Sequence, residues 1–225
     1  MKKNKVKGNN RFYSVMYSAF ARLVRGVFRI EIIGAENEPE QECGMIVCGN
    51  HLSFADPVII GASLTRQVHF LAKRELFKVP LLGKLIRAFG AYPISRGSAD
   101  VGAIKKTIEL AGSGECVGMF PQGTRCIGVM PTVESARSGI GMISAHTDAV
   151  ILPVAIVTKS FKVRPFCKTR IVIGKPITRD ELAIEEHTDE KGKVKVRSSE
   201  YKRVSERVFG DVVALAQKYS FSVRK

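Results

Sequence analysis

Tryptophan is absent from this chain, acids are scarce, and no repeat is visible. Each shortage closes off a class of function. Without Trp, and without aromatics interleaved among its basic clusters, the chain lacks the stacking platforms of single-strand nucleic-acid binders. It also lacks zinc-finger spacing and an RNA-recognition signature, so no nucleic-acid partner is expected. Its five cysteines are scattered and odd in number, which fits a reduced cytosolic compartment rather than a disulfide framework. Cys43, Cys48 and His51 have no second closely spaced ligand pair, so no metal site is expected. The apolar stretch from Phe12 to Ala21 is shorter than the roughly 20 residues that span a bilayer.

What is present is an ordinary globular composition, 45% hydrophobic and 25% charged over 225 residues. That length is enough for one well-buried α/β domain with appendages. The excess of 36 Lys and Arg over 21 Asp and Glu gives a formal net charge of +15. Such a chain calls for an anionic partner. Eight basic residues, Lys2, Lys3, Lys5, Lys7, Arg11, Arg22, Arg25 and Arg29, precede the first acid, Glu31. With aromatics between them, residues 1–27 read as a basic amphipathic segment lying on an anionic membrane surface. A signal peptide competes, but serines and Arg22 punctuate its apolar part and no clear cleavage site follows. A helix packed on the domain's own core also competes.

Hydrophobic patterning alternates between strands and helices. Strands are expected at 28–33, 45–48, 68–72, 116–120, 149–157 and 170–173, with a short extended piece at 91–95. Helices are expected from Pro57 to Leu64, Leu76 to Phe89, Val101 to Leu110 and Ser138 to His146. This order predicts an α/β fold, a mostly parallel central sheet covered by helices, with ligands at the carboxyl ends of strands. The core is expected to span 28–178, after the N-terminal interfacial helix. A capping box is expected across this boundary, at Thr178 to Glu181, and residues 179–225 should hold a mobile charged loop from Glu185 to Glu200 and an amphipathic helix from Tyr201 to Tyr219, as part of the same domain.

Chemistry gathers at the strand ends. His51 and Asp56 follow the apolar run Met45 to Cys48, five positions apart. An ideal helix advances about 100° per residue, so the two would face different directions on one helix. Pro57 disfavours helix at Asp56 and suits the first helical position. The expectation is a strand, a turn bearing His51, and a helix beginning near Pro57. In that turn the Asp56 carboxylate can take an imidazole N–H and leave the other nitrogen free to act as a base. The plainer reading is a helix-capping Asp beside an unremarkable histidine. Phe120-Pro121-Gln122-Gly123-Thr124-Arg125 ends another strand, and Arg125 offers a planar fork of donors suited to phosphate. Arg96 closes the extended piece after Tyr92-Pro93-Ile94-Ser95, and Pro153 interrupts the apolar strand Ile151 to Ile156.

In this order, from His51 to Ile156, the four segments resemble the sequence blocks of the glycerolipid acyltransferase family, which includes the 1-acylglycerol-3-phosphate acyltransferases. The resemblance implies transfer of an acyl group from a thioester to a lysophospholipid hydroxyl. His51 would be the general base and Asp56 its orienting partner. Arg96 and Arg125 would grip the acceptor phosphate, and Gly123 and Thr124 would shape that pocket. Asn50, Ser53 and Gln122 are candidates to line it. Gln122 stands where the family usually has glutamate, which puts any carboxylate role there in question. Pro93 and Ser95 also depart from the second block.

The expected donor is an acyl thioester of coenzyme A or acyl carrier protein, with no cofactor and no metal. The expected acceptor is a lysophospholipid, and the expected location is the cytoplasmic side of the cell membrane, peripheral or monotopic. Transfer to another lysolipid or to glycerol phosphate is the rival within enzymes. A non-catalytic basic membrane-binding protein is the rival outside them. Gly114-Glu115-Cys116-Val117-Gly118 imitates a nucleophile elbow, but Cys116 enters a strand rather than leaving one, as a core cysteine does. His69 and His146 read as structural.

Overall fold

The computed structural model describes residues 11–39, 43–80, 82–88, 90–94, 101–190 and 192–221. Seven strands build its main sheet: β1 (Ile30–Ile33), β2 (Met45–Gly49), β3 (Val68–Lys73), β4 (Tyr92–Ile94), β5 (Cys116–Met119), β6 (Val150–Thr158) and β7 (Thr169–Ile173). Their order is β1-β7-β6-β2-β5-β3-β4. Neighbours run parallel except β6 and β7, which are antiparallel. The mostly parallel α/β sheet expected from the alternating pattern is present.

Among the described residues six α-helices accompany the sheet: α1 (Arg11–Val27), α2 (Asp56–Ser63), α3 (Leu82–Ala88), α4 (Val101–Gly112), α5 (Gly139–Ser144) and α6 (Ser198–Lys218). Successive side chains of a strand point to opposite faces, so a strand apolar throughout must be covered twice. In β2, Met45 and Val47 join a cluster with Ala21 and Val24 of α1 and Ile59 and Ile60 of α2. Ile46 and Cys48 join the opposite cluster, with Leu110 of α4, Ile140 of α5 and Val204, Val208 and Phe209 of α6. Cys116 is buried in β5, and burial pushes its thiol up to about 12. Pro153 does not interrupt β6. It pairs with Cys48 on the parallel side, while the antiparallel ladder to β7 begins one residue later, at Val154. A proline is tolerated where no ladder needs its missing N–H.

Two expectations change. The helix anticipated from Leu76 to Phe89 is a 3-10 turn, Arg74–Lys78, followed by α3. Pro80 lies between them, and a proline inside a helix removes a hydrogen bond and clashes with the preceding turn. The anticipated mobile loop from Glu185 to Glu200 contains a hairpin, β8 (Glu186–Thr188) with β9 (Val194–Val196), and the first residues of α6. The capping box forms, with Thr178 N–H and hydroxyl donating to Glu181 Oε2 at 2.7 and 2.9 Å, but it starts only a 3-10 turn, Asp180–Leu182. The final turns of α1 pack on α2: Ala21 and Val24 are buried, and Arg25 Nε donates to Ala62 O at 2.5 Å. Among the described residues no helix is long and apolar enough to cross a membrane.

Candidate active site

The sheet brings two turns together by register. Cys48 of β2 pairs with Met119 of β5, so the third residue beyond each strand pair is His51 on one side and Gln122 on the other. The turns are joined there. His51 N–H donates to Gln122 Oε1 at 2.8 Å, and Cys126 N–H donates to His51 O at 2.7 Å. Gln122 is buried, and its Nε2 lies 3.4 Å from Ser135 Oγ. Asn50 anchors the β2 turn to β6, its Nδ2 donating to Ile156 O at 3.0 Å and its Oδ1 accepting Ile156 N–H at 2.7 Å.

Within the turn, Asp56 Oδ2 collects three donors. His51 Nδ1 is 2.7 Å away, Leu52 N–H 2.5 Å and Ser53 N–H 2.7 Å. Asp56 is the first residue of α2 and is fully buried, yet its carboxylate points back into the turn rather than forward to cap the helix. Ser53 Oγ in turn accepts Ala55 N–H at 3.1 Å. A buried carboxylate needs hydrogen-bond donors, and here they also fix the imidazole. With Nδ1–H held by Asp56, Nε2 is the nitrogen left to take a proton.

The imidazole rests on an aromatic wall. His51 stacks on Phe120 at 4.1 Å between ring centroids, and Phe120 on Phe70 at 5.6 Å. Phe70 lines an apolar cavity of about 440 Å³, together with Phe20, Phe54, Val58, Leu76 and Ile86. Gly118 makes room for this wall, because a Cβ there would lie 2.1 Å from the Phe70 ring.

At the lip of the cavity Arg125 lies 3.5 Å over the Phe54 ring, and no hydrogen bond or ion pair among the described residues takes its donors. Gly123 has φ +66°, and Arg137 approaches so closely that a Cβ at Gly123 would sit 3.1 Å from its Cδ. Thr124, between them, is exposed. Arg96 lies outside the described residues. The structure therefore gathers His51, Asp56, Gln122, Gly123, Thr124 and Arg125 around two adjoining strand ends. Two further contributors carry no local sequence signal. Arg137 comes fourteen residues after Gly123 through irregular chain, and the Phe70–Phe120 stack joins separate strand segments. His69, by contrast, is held within β3, with Nδ1 2.9 Å from Gly90 O and Nε2 3.3 Å from Glu115 Oε2.

Comparison with known proteins agrees with this geometry. The profile of the Acyltransferase family matches residues 29–157. The 1-acyl-sn-glycerol-3-phosphate acyltransferase of Bacillus subtilis (strain 168) is 29% identical over 157 residues, covering 68% of this chain and 76% of that protein. The enzyme of the same name from Neisseria meningitidis serogroup B is 33% identical over 145 residues, covering 61% and 54%. A chloroplastic relative from Arabidopsis thaliana is 28% identical over 159 residues, but the match spans only 44% of its length. The crystal structure of the 1-acyl-sn-glycerophosphate acyltransferase PlsC from Thermotoga maritima superposes with a TM-score of 0.65 at 21% identity, covering 96% of this chain and 86% of that one. That likeness establishes the shared fold. With the family profile matched over more than half of its length, the chain belongs to the Acyltransferase family.

Proposed function

We propose that this protein transfers a fatty acyl group from an acyl thioester to the free hydroxyl of 1-acylglycerol-3-phosphate, producing phosphatidate for phospholipid synthesis. The observation that carries the reading is that one apolar cavity is joined to both groups: the His51–Asp56 pair through the Phe120–Phe70 stack, and Arg125, unpaired among the described residues, through Phe54. The cavity accepts a hydrocarbon chain, and Arg125 offers a phosphate its fork of donors. A molecule with one acyl chain, one hydroxyl and one phosphate meets all three features.

The chemistry needs little more. As the acceptor oxygen attacks the thioester carbonyl, His51 Nε2 takes its proton, and Asp56 stabilises the imidazolium formed. The tetrahedral intermediate then expels the sulfur, which recovers that proton and leaves as free thiol. A thioester is already activated, so this reaction requires no covalent intermediate on the protein. Arg125, and Arg137 beside Gly123, hold the acceptor phosphate and so place its hydroxyl about 3 to 3.5 Å from the carbonyl. By resemblance Arg96 joins them. Coenzyme A and acyl carrier protein both fit as donor carriers, since both are anionic and the chain is strongly basic. The enzyme works at the cytoplasmic surface of the cell membrane, where its acceptor resides.

The test is release of free thiol from an acyl thioester by purified protein. It should depend on added lysophosphatidate and disappear in His51→Ala. Thiol release of equal size with glycerol phosphate, or with a lysolipid lacking the phosphomonoester, would reassign the acceptor.

A further inference from the structure

We propose that two loops beside the active-site mouth, residues 125–130 and 159–168, seat in an anionic lipid bilayer as a docking surface separate from the N-terminal segment. Hydrogen bonds tie these loops to each other and to the site. Cys126 N–H donates to the carbonyl of His51 at 2.7 Å, Gly128 N–H to Phe161 O at 2.8 Å, and Phe166 N–H to Val27 O, at the end of α1, at 2.5 Å. The rim is therefore one connected surface, running from the Phe54 lip of the cavity through Arg125 into both loops.

That surface combines exposed apolar residues with unpaired cations. Ile127 is 54% exposed, Val129 56% and Phe166 73%, beside Phe54 at 74%. Neither 123–132 nor 159–168 contains an acid. Lys159, Lys162 and Arg164 have no ion pair among the described residues, whereas Lys168 pairs with Glu31 at 2.9 Å. Apolar side chains projecting among unneutralised cations match the boundary between anionic headgroups and acyl chains.

Backbone conformation adds an independent reason. Phe161 and Phe166 both have positive φ, 51° and 61°. Such a conformation is uncommon and costly for a bulky residue. Phe161 packs against both core clusters, which offsets that cost. Phe166 makes no comparable burial, so nothing within the described fold rewards an aromatic there. Entry into a lipid layer does.

The choice of a bilayer over an acidic protein rests on the proposed function, because a lysophosphatidate must leave a membrane to reach the cavity. An acidic acyl carrier is the competing occupant. The absence of Trp from the chain makes Phe166→Trp in the full-length protein a single reporter. With vesicles of phosphatidylglycerol and phosphatidylcholine in equal parts, the emission at position 166 should shift to the blue and be quenched by brominated acyl chains. Vesicles that sediment the protein while leaving that emission unshifted and unquenched overturn the proposal. A shift produced by acyl carrier protein but not by vesicles overturns it in favour of protein docking.

The combined variant Ile127→Ser, Val129→Ser and Phe166→Ser provides a second reading. It should bind these vesicles at least about tenfold more weakly, from the loss of apolar burial, yet acylate a short-chain, monomeric lysophosphatidate at the parental rate. Unchanged vesicle affinity refutes the surface. If the reporter inserts but no lysophosphatidate is acylated in any form, the proposed activity fails and the docking surface stands.

Discussion

Asp56 looks in sequence like a helix cap before Pro57, and in the folded chain its carboxylate does other work. Its Oδ2 takes N–H groups from Leu52, Ser53 and the His51 ring. The pair was legible because the three donors to Asp56 all lie within a few residues of it. His51→Ala should lower turnover by roughly 10²- to 10⁴-fold, as loss of a general base does, with little change in melting temperature. Asp56→Asn should lose activity on that scale and stability as well. A neutral amide oxygen replaces a charged acceptor for three donors, and hydrogen bonds to charged groups contribute about 1.5–3 kcal/mol. Paired rate and melting measurements on both variants check this. Stable, near-normal acyl transfer by His51→Ala would remove the dyad from the mechanism.

Gln122 separates a structural role from a chemical one. Its Oε1 accepts the His51 amide, and a glutamate oxygen can do the same. Gln122→Glu should therefore leave the rate within a few fold, with the pH profile unchanged. Gln122→Leu should be worse, because it orphans the partly buried His51 N–H, at a cost of up to about 1–3 kcal/mol. A large rate gain in Gln122→Glu, with a new ionisation in its profile, would show that the position needs a carboxylate. The arginines obey a different readout. Arg125→Gln and Arg137→Gln should each raise the apparent dissociation constant for the acceptor about ten- to a hundredfold. Affinity for the donor should change much less. Arg125 could be singled out from its own turn, whereas Arg137 becomes visible only when the 132–137 stretch folds back beneath Gly123.

Elements were legible where apolar runs were long. β2, β5 and β6 stand near their expected bounds because strands buried on both faces write themselves as continuous apolar stretches. Direction is not written there, so the antiparallel β6–β7 pairing emerges only from the fold. The β8–β9 hairpin stayed hidden for the opposite reason: its strands are exposed, short and charged. Glu200 fastens this region to α6, accepting Glu185 N–H at 3.0 Å and pairing with Arg203. The hydrogen bonds from Arg203 hold its carboxyl below the usual carboxylate range. A lowered folded value means that the stabilisation is complete above the unfolded carboxylate range. It is lost as pH falls through the folded value. Glu200→Gln should accordingly destabilise the protein at neutral pH. The difference from the parent should shrink toward zero in acid, as followed by chemical denaturation across pH. A difference independent of pH would mean that the charge is not what matters.

The aromatic wall couples a strand to the His51 ring. Ala at position 118 must push Phe70 away, and Phe70 supports the His51 ring through Phe120. Gly118→Ala should reduce turnover by roughly ten- to a hundredfold, as small misplacements of a catalytic group do. Adding Phe70→Leu should relieve part of that loss by removing the clash. If the double variant is no better than the single one, the defect lies elsewhere in β5.

For the molecule as a whole, charge and packing both converge on the N-terminal segment, and they can be separated. Residues 1–10 hold four lysines and no acid, whereas Phe20 and Ala21 of α1 line the apolar cavity and Ala21 and Val24 are buried. Deleting 1–10 should therefore weaken binding to anionic vesicles without disturbing the cavity. Both forms should bind less as salt rises, since surface charges are screened beyond about 10 Å at 0.1 M ionic strength. The deleted form should show the smaller salt dependence, and its rate with a monomeric acceptor should match that of the full chain. Deleting 1–25 removes part of the cavity wall and exposes the α2 face that α1 covers. That form should lose acyl transfer even when no membrane is present. Vesicle sedimentation across a salt series, run beside thiol release with the monomeric acceptor, distinguishes the two deletions. Equal activity of both in the membrane-free assay would show that α1 serves only as an anchor and takes no part in shaping the site.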